Sequence, residues 1–494
     1  MDNAVRSWVT VVCILVYWSN DLSAQTLKKE SVFSSALKDS ISYHVWLPEG
    51  WNEEQQYPVI LMYNYGALNE KLLASTVNYY ANHLREIPNS IVVNLLVDMN
   101  SIGYNYENGN LTAKGKALVN ALENEILPDI SKTYQGSSFR AYVGQSYAAS
   151  YANNLFLNHP GIFNAYILMA PEQIKANEPP FELNEQAVRY YNQHPVCYFL
   201  ADGGKDIDRR RTYSKAIFSK ISVLDSTILR RKLQHFPDAD HNNIVAHAFP
   251  SALEFLYGSY ATIWDAEDQV PVMNTLKKIE GNLRQTYGIG IEKTFRNYNF
   301  FLSIAVKQKD TAGLKSIINL FESSDSKGID LRNFAYYCQQ LKLMPLAKQY
   351  YEKAISKIKY DEINTKEGHQ ALVVCYREMA FFLDKDHPEK GWSLLEQALN
   401  DRFIKDATMN YDIGRFAVEN SFNLKSGLTY LLGYANQRKE LVGIINYPLY
   451  KINLLISRAY FLLKDRENAK RYVQMVIKDQ PENKEALDLL KNIN

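Results

Sequence analysis

A serine at a sharp corner between a predicted strand and a predicted helix is the first sign of chemistry in this chain. The stretch FRAYVGQSYAAS, from Phe139 to Ser150, passes from strand-forming residues through a glycine to small, helix-forming residues. A serine at such a corner projects its hydroxyl clear of the backbone, and the next N–H group, that of Tyr147, points into the same space. Gly144 and Ala148 are small enough for strand and helix to approach closely. The pattern differs from G-x-S-x-G by one methyl group and predicts Ser146 as a nucleophile.

A serine hydroxyl needs a general base, and the four histidines after His159 in the predicted α/β domain are candidates in the expected chain order. His241, in FPDADHNN, falls in the loop between the last predicted strand and the last predicted helix. His194 precedes a predicted strand, His235 lies in or at the end of the last one, and His247 lies inside the helix. We therefore expect His241 to be the base; the alternative is a histidine of a surface loop.

The base needs an orienting acid, which should follow the predicted strand VCYFLA. The segment ADGGKDIDRR offers Asp202 at the strand end, Asp206 after the glycine turn, and Asp208 just before a helix. Helix capping explains Asp208 without catalysis. A carboxylate past the glycine turn can reach the loop of His241, so we favour Asp206 and keep Asp202 and Asp208 as alternatives. Asp240 is interpreted as a loop carboxylate.

An oxyanion hole needs two backbone donors. The N–H of Tyr147 is one of them. The second should come from the loop NYGAL after the early strand YPVILMY, where Asn64 or Tyr65 is the expected donor.

The elements that must position these groups alternate between strands and helices from about residue 28 to residue 260. Nearly continuous apolar runs such as YPVILMY and IVVNLLV indicate strands that are buried on both faces. A helix should cover KALVNALENEILPDISKTY, because Leu118, Leu122, Ile126 and Ile130 recur at intervals of four. Further strands are expected at ISYHVWL, FRAYV, NAYILMA, VCYFLA and RRKLQHF. This alternation predicts an α/β fold around a mostly parallel sheet, with helices on both faces.

From about Ala266 the strand signals stop and helix follows helix. Small residues recur in PLAKQYYEKAIS and AYFLLKDRENAKRYVQMVIKDQPEN, and more weakly in EKGWSLLEQALN. These stretches resemble degenerate tetratricopeptide repeats, in which small residues let paired helices approach. The alternative is a plain helical domain. We expect an α/β domain over residues 28–262 and an all-helical domain over residues 266–494.

The first 24 residues have the layout of a secretory signal peptide. Arg6 precedes the apolar run Trp8–Trp18, and the small-residue end Leu22–Ala24 follows. The run is short for a membrane span. We expect cleavage after Ala24 and a mature protein, without a membrane span, in the periplasm or outside the cell. An uncleaved N-terminal anchor is the alternative.

Composition excludes some classes of function. The formal net charge of +1 gives no reason to expect nucleic acid as a partner. Cys197, Cys338 and Cys375 are an odd, sparse set, so buried thiols are expected rather than a disulfide framework. The nine histidines show no metal-ligand spacing, and neither a metal nor a cofactor is expected. The 35 tyrosines fit aromatic or carbohydrate ligands as well as helix packing.

The N-terminal domain resembles the putative-esterase family of α/β hydrolases, which includes enterochelin esterases, S-formylglutathione hydrolases and feruloyl esterases. The resemblance covers about Ser31 to Tyr260 and is carried by YPVILMY with its NYG loop, ALENEILPDISKTYQ, VGQSYAAS and FPDADHNNIVAHAFPSALEFLY. It implies an α/β-hydrolase fold and ester hydrolysis by Ser146, His241 and Asp206. Alanines replace two glycines that the family carries after the serine, and Asn64-Tyr65 replaces its usual Asp-Gly pair, which puts the shape of the acyl pocket in question.

The expected activity is therefore hydrolysis of small-molecule or glycan-linked esters, with siderophore or carbohydrate-linked acyl esters as substrates. Glu172 and Arg209 are weaker candidates for substrate contacts, at the mouth of the cleft and beside the acid loop. The alternative is an inactive, hydrolase-like scaffold that holds a protein partner through its helical repeats. An acyltransferase of the same fold differs only in the acceptor of the acyl group.

Overall fold

The computed structural model describes residues 25–98, 101–105, 110–172, 182–265, 268–323, 326–362, 365–383, 387–401, 404, 406–438 and 447–494. The predicted signal peptide, residues 1–24, lies outside these ranges. Contacts between Cα atoms divide the chain into two compact units. The sheet unit holds the described residues of 20–269 and 274–292, and the helical unit those of 270–273 and 293–494. The domain limits expected from the sequence stay predictions.

The sheet unit is built on one sheet of eight strands. Its spatial order is β1-β2-β4-β3-β5-β6-β7-β8. The pairs β1–β2 and β2–β4 are antiparallel, and the other pairs are parallel. The strands are β1 (Thr26–Ser34), β2 (Asp39–Leu47), β3 (Tyr57–Tyr63), β4 (Ile91–Leu95), β5 (Gly136–Gln145), β6 (Ala165–Met169), β7 (Val196–Gly203) and β8 (Leu229–Phe236). This mostly parallel sheet with its helices confirms the predicted α/β-hydrolase fold.

Helices follow most of the parallel strands and cover the sheet. They are α1 (Glu70–Asn78), α2 (Ala113–Ala121), α3 (Leu127–Tyr134), α4 (Tyr147–Asn158), α5 (Glu185–Tyr191), α6 (Asp208–Ile221), α7 (Ile244–Leu256), α8 (Gly258–Trp264) and α9 (Val272–Tyr287). π-Helical turns follow α1 at Tyr79–Leu84 and join α2 to α3 at Leu122–Ile126. The helix expected around Leu118 is therefore present, with its apolar stripe buried.

The core explains two features of the sequence. Every residue of β3, β4 and β6 is buried, as their continuous apolar runs predict. The edge strand β1 has mostly exposed or half-buried residues, so its sequence contains no apolar run that would indicate a strand. The largest fully buried side chains of the described residues are tyrosines, mostly in the sheet unit, Tyr63, Tyr142 and Tyr198 among them. The abundance of tyrosine thus serves the core of the sheet unit.

The second unit confirms the predicted all-helical C-terminal region. Its helices are α10 (Phe295–Gln308), α11 (Thr311–Phe321), α12 (Gly328–Gln340), α13 (Met344–Lys357), α14 (Lys366–Glu378), α15 (Pro388–Asn400), α16 (Thr408–Asn420), α17 (Leu424–Gln437), α18 (Leu449–Leu462), α19 (Arg466–Asp479) and α20 (Lys484–Ile493), with π-helical turns at Ile358–Glu362 and Met379–Leu383. The small residues Ala347, Ala354 and Ala469 are buried in it. The resemblance to tetratricopeptide repeats stays a prediction. In the described part of the chain, no helix is long and apolar enough to cross a membrane.

Strand β5 and helix α4 are joined by one residue, Ser146, and approach each other closely. A Cβ atom on Gly144 would lie 2.8 Å from backbone atoms of Ala148 and Ala149. Glycine is therefore required at this position by the path of the following helix.

We predict that Gly144→Ala destabilises the sheet unit, because backbone atoms of α4 cannot move aside as a side-chain tip can. The free energy of unfolding should fall by about 1–3 kcal/mol, which a melting curve measures. Gly281→Ala in α9 is the matched control. A Cβ there meets nothing within 4 Å, so melting should be unchanged or slightly raised. Equal melting of Gly144→Ala and the wild-type protein would contradict the close approach.

Candidate active site

Ser146 has the backbone conformation expected of a nucleophile at a tight corner. Its φ is 55° and its ψ is −123°, a conformation that non-glycine residues rarely adopt. Its N–H donates to the carbonyl of Met169 at the end of β6, at 3.0 Å. Helix α4 begins at the next residue, so the N–H of Tyr147 is not needed for intrahelical bonding. The sheet and the helix together hold the strained residue in place.

The structure brings Asp206 and His241 together. The Oδ2 atom of Asp206 lies 3.0 Å from Nδ1 of His241. The Asp206 side chain is 3% exposed, and the His241 side chain is 27% exposed. A buried carboxylate on Nδ1 leaves the other ring nitrogen of a partly exposed imidazole to act as a base.

Backbone contacts between two loops create this pairing. Lys205 N–H donates to the Ala239 carbonyl at 2.9 Å, and Gly204 N–H donates to the Phe236 carbonyl at 2.8 Å. A Cβ on Gly203 would lie 2.5 Å from the Ala239 oxygen. Gly203 at the end of β7 and Gly204 after it therefore let the acid loop pack directly on the histidine loop.

The other aspartates have different partners. Asp202 Oδ1 lies 2.5 Å from His235 Nδ1, at the position where β7 and β8 are in register. The sequence suggested that Asp208 caps a helix, but it does not. Asp208 lies in the first turn of α6 and pairs with Arg211. Asp240 accepts the N–H groups of two following residues and shapes the histidine loop, as a loop carboxylate does.

Asp206 is held ionised by its neighbours. Its Oδ1 accepts from Arg210 Nη1 at 2.7 Å and from the Ile207 N–H at 2.7 Å. Burial raises the pKa of this carboxyl, but the hydrogen bonds from Arg210, Ile207 and His241 together outweigh burial and lower its pKa. A negative charge on the candidate acid is thus available to stabilise an imidazolium.

Glu172 continues this network instead of facing solvent. Its side chain is 3% exposed, and its carboxylate contacts Arg210 Nε at 2.5 Å and also pairs with Arg209. Arg210 thus bridges the carboxylates of Glu172 and Asp206. Because arginines occupy both oxygens of Glu172, the half-exposed Arg209 is the better placed of the two residues for contact with a substrate.

Ser146 is less closely connected to His241 than Asp206 is. Within the described ranges, no hydrogen bond joins the Ser146 hydroxyl to His241. Such bonds are often loose until substrate binds, so the complete triad stays a prediction. Tyr65 and Tyr147 lie edge to face, with ring centroids 6.1 Å apart, so the predicted oxyanion loop adjoins the residue after the serine. Asn64 lies in that loop and is exposed.

Sequence reasoning missed two residues. The sequence interpretation gives Arg210 no role, although its i,i+4 spacing from Asp206 could have indicated the pair. Gln145 lies inside the corner motif VGQSYAAS, and the sequence interpretation assigns it no role. Its side chain donates to the carbonyl of His241 and accepts from the Ala67 N–H. No signal in the sequence indicates those long-range contacts.

Among the described residues, no group of three or more histidine, cysteine, aspartate or glutamate side chains is arranged to hold a metal ion. That the chemistry needs no metal stays a prediction.

Cys338 and Cys375 are buried free thiols, and burial raises the pKa of each to about 12.

Comparison with known families supports the sequence interpretation. Residues 34–194 match the family model described as "Putative esterase". The matched part includes Ser146 and the loop of Asn64 and Tyr65, and it ends before Asp206 and His241. The match confirms the resemblance to this family and supports a carboxylic ester hydrolase. No curated protein matches the chain in sequence.

Several solved structures align with the chain at low identity. A protein from Capnocytophaga ochracea is 16% identical, with 67% of this chain and 94% of that chain covered and a TM-score of 0.46. An IroE-like serine hydrolase from Shewanella oneidensis is 15% identical, with coverage of 60% and 99% and a TM-score of 0.47. A ferulic acid esterase from Anaeromyces mucronatus is 17% identical, with coverage of 49% and 94% and a TM-score of 0.37.

We predict that Arg210→Met reduces stability most at neutral pH. Without the guanidinium, the effect of burial is less well compensated and the pKa of Asp206 rises relative to wild type. The lowered pKa of Asp206 stabilises the native state at pH values above about 4, the ordinary pKa of an aspartate. The difference in melting temperature between the variant and wild type should therefore shrink as the pH falls through about 4. Melting curves from pH 7 to pH 3 measure this.

Arg209→Met is the matched control, because Arg209 contacts Glu172 but makes no contact with Asp206. We expect it to change melting little at any pH. A difference between Arg210→Met and wild type that is the same at pH 7 and pH 3 would contradict the electrostatic explanation.

Proposed function

We propose that the sheet unit is a serine esterase in which Ser146 is the nucleophile, His241 the general base and Asp206 the acid that orients it. The observation that carries the proposal is the buried Asp206 carboxylate on Nδ1 of His241, in a loop bonded to the residue before the strained serine. The match of residues 34–194 to an esterase family supports the same activity.

The chemistry follows from these positions. The Ser146 Oγ attacks the ester carbonyl carbon while the free nitrogen of His241 takes the hydroxyl proton, and Asp206 stabilises the imidazolium through Nδ1–H. The oxyanion of the tetrahedral intermediate accepts from the Tyr147 N–H and from a backbone N–H of Asn64 or Tyr65. His241 then protonates the leaving alkoxide to give the alcohol and an acyl-enzyme. Water, activated in the same way, releases the acid and restores the serine.

For the substrate we propose acyl esters attached to a siderophore or a carbohydrate. The rings of Tyr65 and Tyr147 offer apolar surface next to the serine for a planar acyl or sugar group. Arg209, with a side chain 47% exposed, offers a guanidinium for an anionic group. Comparing methyl ferulate with simple acetyl esters tests the acyl side, and product analysis with an added sugar distinguishes hydrolysis from acyl transfer.

We also propose that the protein acts outside the cytoplasm after cleavage following Ala24, on the strength of the N-terminal sequence pattern alone. The mass of the mature protein, starting at Gln25, tests this directly. A protein partner for the helical unit stays a prediction.

Substitution of the triad tests the function. Ser146→Ala should abolish both hydrolysis of p-nitrophenyl acetate and covalent labelling by a fluorophosphonate, because the attacking oxygen is removed. His241→Ala should have the same effect, and Asp206→Asn should lower kcat by about 10²–10⁴-fold, since the imidazole loses its orienting charge.

His235→Gln is the matched control, because His235 forms a second aspartate–imidazole pair among the described residues and an amide can still donate to the buried Asp202. It should retain wild-type activity. Equal hydrolysis by wild type and Ser146→Ala would overturn the proposal and favour the inactive scaffold.

A further inference from the structure

Gln145 connects the loop of Asn64 and Tyr65 to the loop of His241. It is the last residue of β5 and is 1% exposed. Its Oε1 accepts the N–H of Ala67 at 2.8 Å, in the loop that carries Asn64 and Tyr65. Its Nε2 donates to the backbone carbonyl of His241. One carboxamide thus touches the loop of the predicted oxyanion donors and the residue predicted to be the base.

The two contacts need a side chain that offers both a hydrogen-bond acceptor and a hydrogen-bond donor. A primary amide offers an acceptor and a donor on one rigid plane, which is what the N–H of one loop and the carbonyl of the other need. The fit is close on the first loop, since a Cβ on Gly66, whose φ is +63°, would lie 2.8 Å from Gln145 Oε1. A partly buried backbone group is less stable without its hydrogen-bond partner, so each contact stabilises its loop in this position.

The backbone of Gln145 is held rigidly in the sheet. Gln145 pairs with Met169 in the parallel ladder of β5 and β6, and Ser146 follows it directly. The two loops are otherwise remote from β5 along the chain: His241 is 96 residues from Gln145, and Ala67 is 78 residues away. The side chain therefore fixes the positions of both loops relative to β5 and to the serine that directly follows it.

We propose that Gln145 is a positioning residue that sets the distances of the imidazole and of the oxyanion loop from the Ser146 hydroxyl. This inference rests on the proposed function. Gln145 acts through His241 and the Ala67 backbone and need not touch the substrate. Misplacing a reacting group by about 1 Å can lower a rate by about 10²-fold, so loss of the carboxamide should lower kcat more than it changes KM.

Gln145→Glu gives a readout that a purely structural role would not produce. A protonated carboxyl can donate to the His241 carbonyl and accept from the Ala67 N–H, as the amide does. An ionised carboxylate keeps the Ala67 contact but repels the His241 carbonyl. The kcat/KM of this variant should therefore fall, in a new descending limb, as pH rises through the pKa of the introduced carboxyl, where the wild-type profile has no such limb.

Gln145→Met removes both contacts while keeping similar bulk. It should lower kcat by about 10–100-fold with no new limb in the pH profile, following the misplacement estimate. Gln234→Glu on β8 places the same acid on another strand of the sheet and should leave the profile unchanged. A Gln145→Glu profile parallel to that of wild type, or a Gln145→Met kcat within twofold of wild type, would overturn the positioning role.

Hydrogen exchange separates this inference from the proposed function. In Gln145→Met, the Ala67 amide and residues 238–243 should exchange faster than in wild type, whether or not the protein hydrolyses esters. Unchanged exchange in both loops would refute the connection itself. Faster exchange in a protein whose wild type and Ser146→Ala variant are equally inactive would retain the connection and refute the esterase.

Discussion

The close approach of β5 and α4 is the constraint on which the candidate site depends. Only Ser146 lies between the two elements, and it has a positive φ that a side chain normally avoids. The hydrogen bond to Met169 and the bare Cα of Gly144 make this conformation possible. The outcome is a hydroxyl held at the carboxyl edge of the sheet, next to a helix N-terminus whose N–H groups favour negative charge.

Charge compensation organises the other side of the site. Two buried carboxylates, Asp206 and Glu172, share the guanidinium of Arg210, and Arg209 adds a second cation on Glu172. Unpaired buried charges are strongly destabilising, so these groups have to be arranged together. The arrangement anchors the acid loop to the end of β6 as well as to the loop of His241. The same contacts keep Asp206 ionised, so stability and proposed catalysis rest on shared interactions.

Proximity of an aspartate to a histidine does not by itself decide which of the two pairs takes part in the proposed catalysis. Asp202 with His235 and Asp206 with His241 have similar chemistry and lie on the same two segments of chain. Only His241 is bonded, through its carbonyl, to the residue that precedes the serine. We therefore assign the proposed chemistry to the second pair because of that connection, while the first pair follows from two strands in register.

The sequence by itself determined the features that arise from local pattern. Apolar runs and their spacing predicted the central strands and the helical C-terminal region, and the Gly-x-Ser corner predicted the turn at Ser146, because these depend on interactions between near neighbours. The loop position of His241 favoured it as the base, and the glycine turn favoured Asp206 over Asp202 and Asp208 as the acid. The sequence did not reveal the roles of Arg210 and Gln145. Tertiary structure alone decided that Asp206 meets His241 from 35 residues away and that Gln145 meets the same histidine from 96 residues away. Contacts at such distances follow from how the strands are ordered in the sheet and how their loops pack, which no local pattern contains.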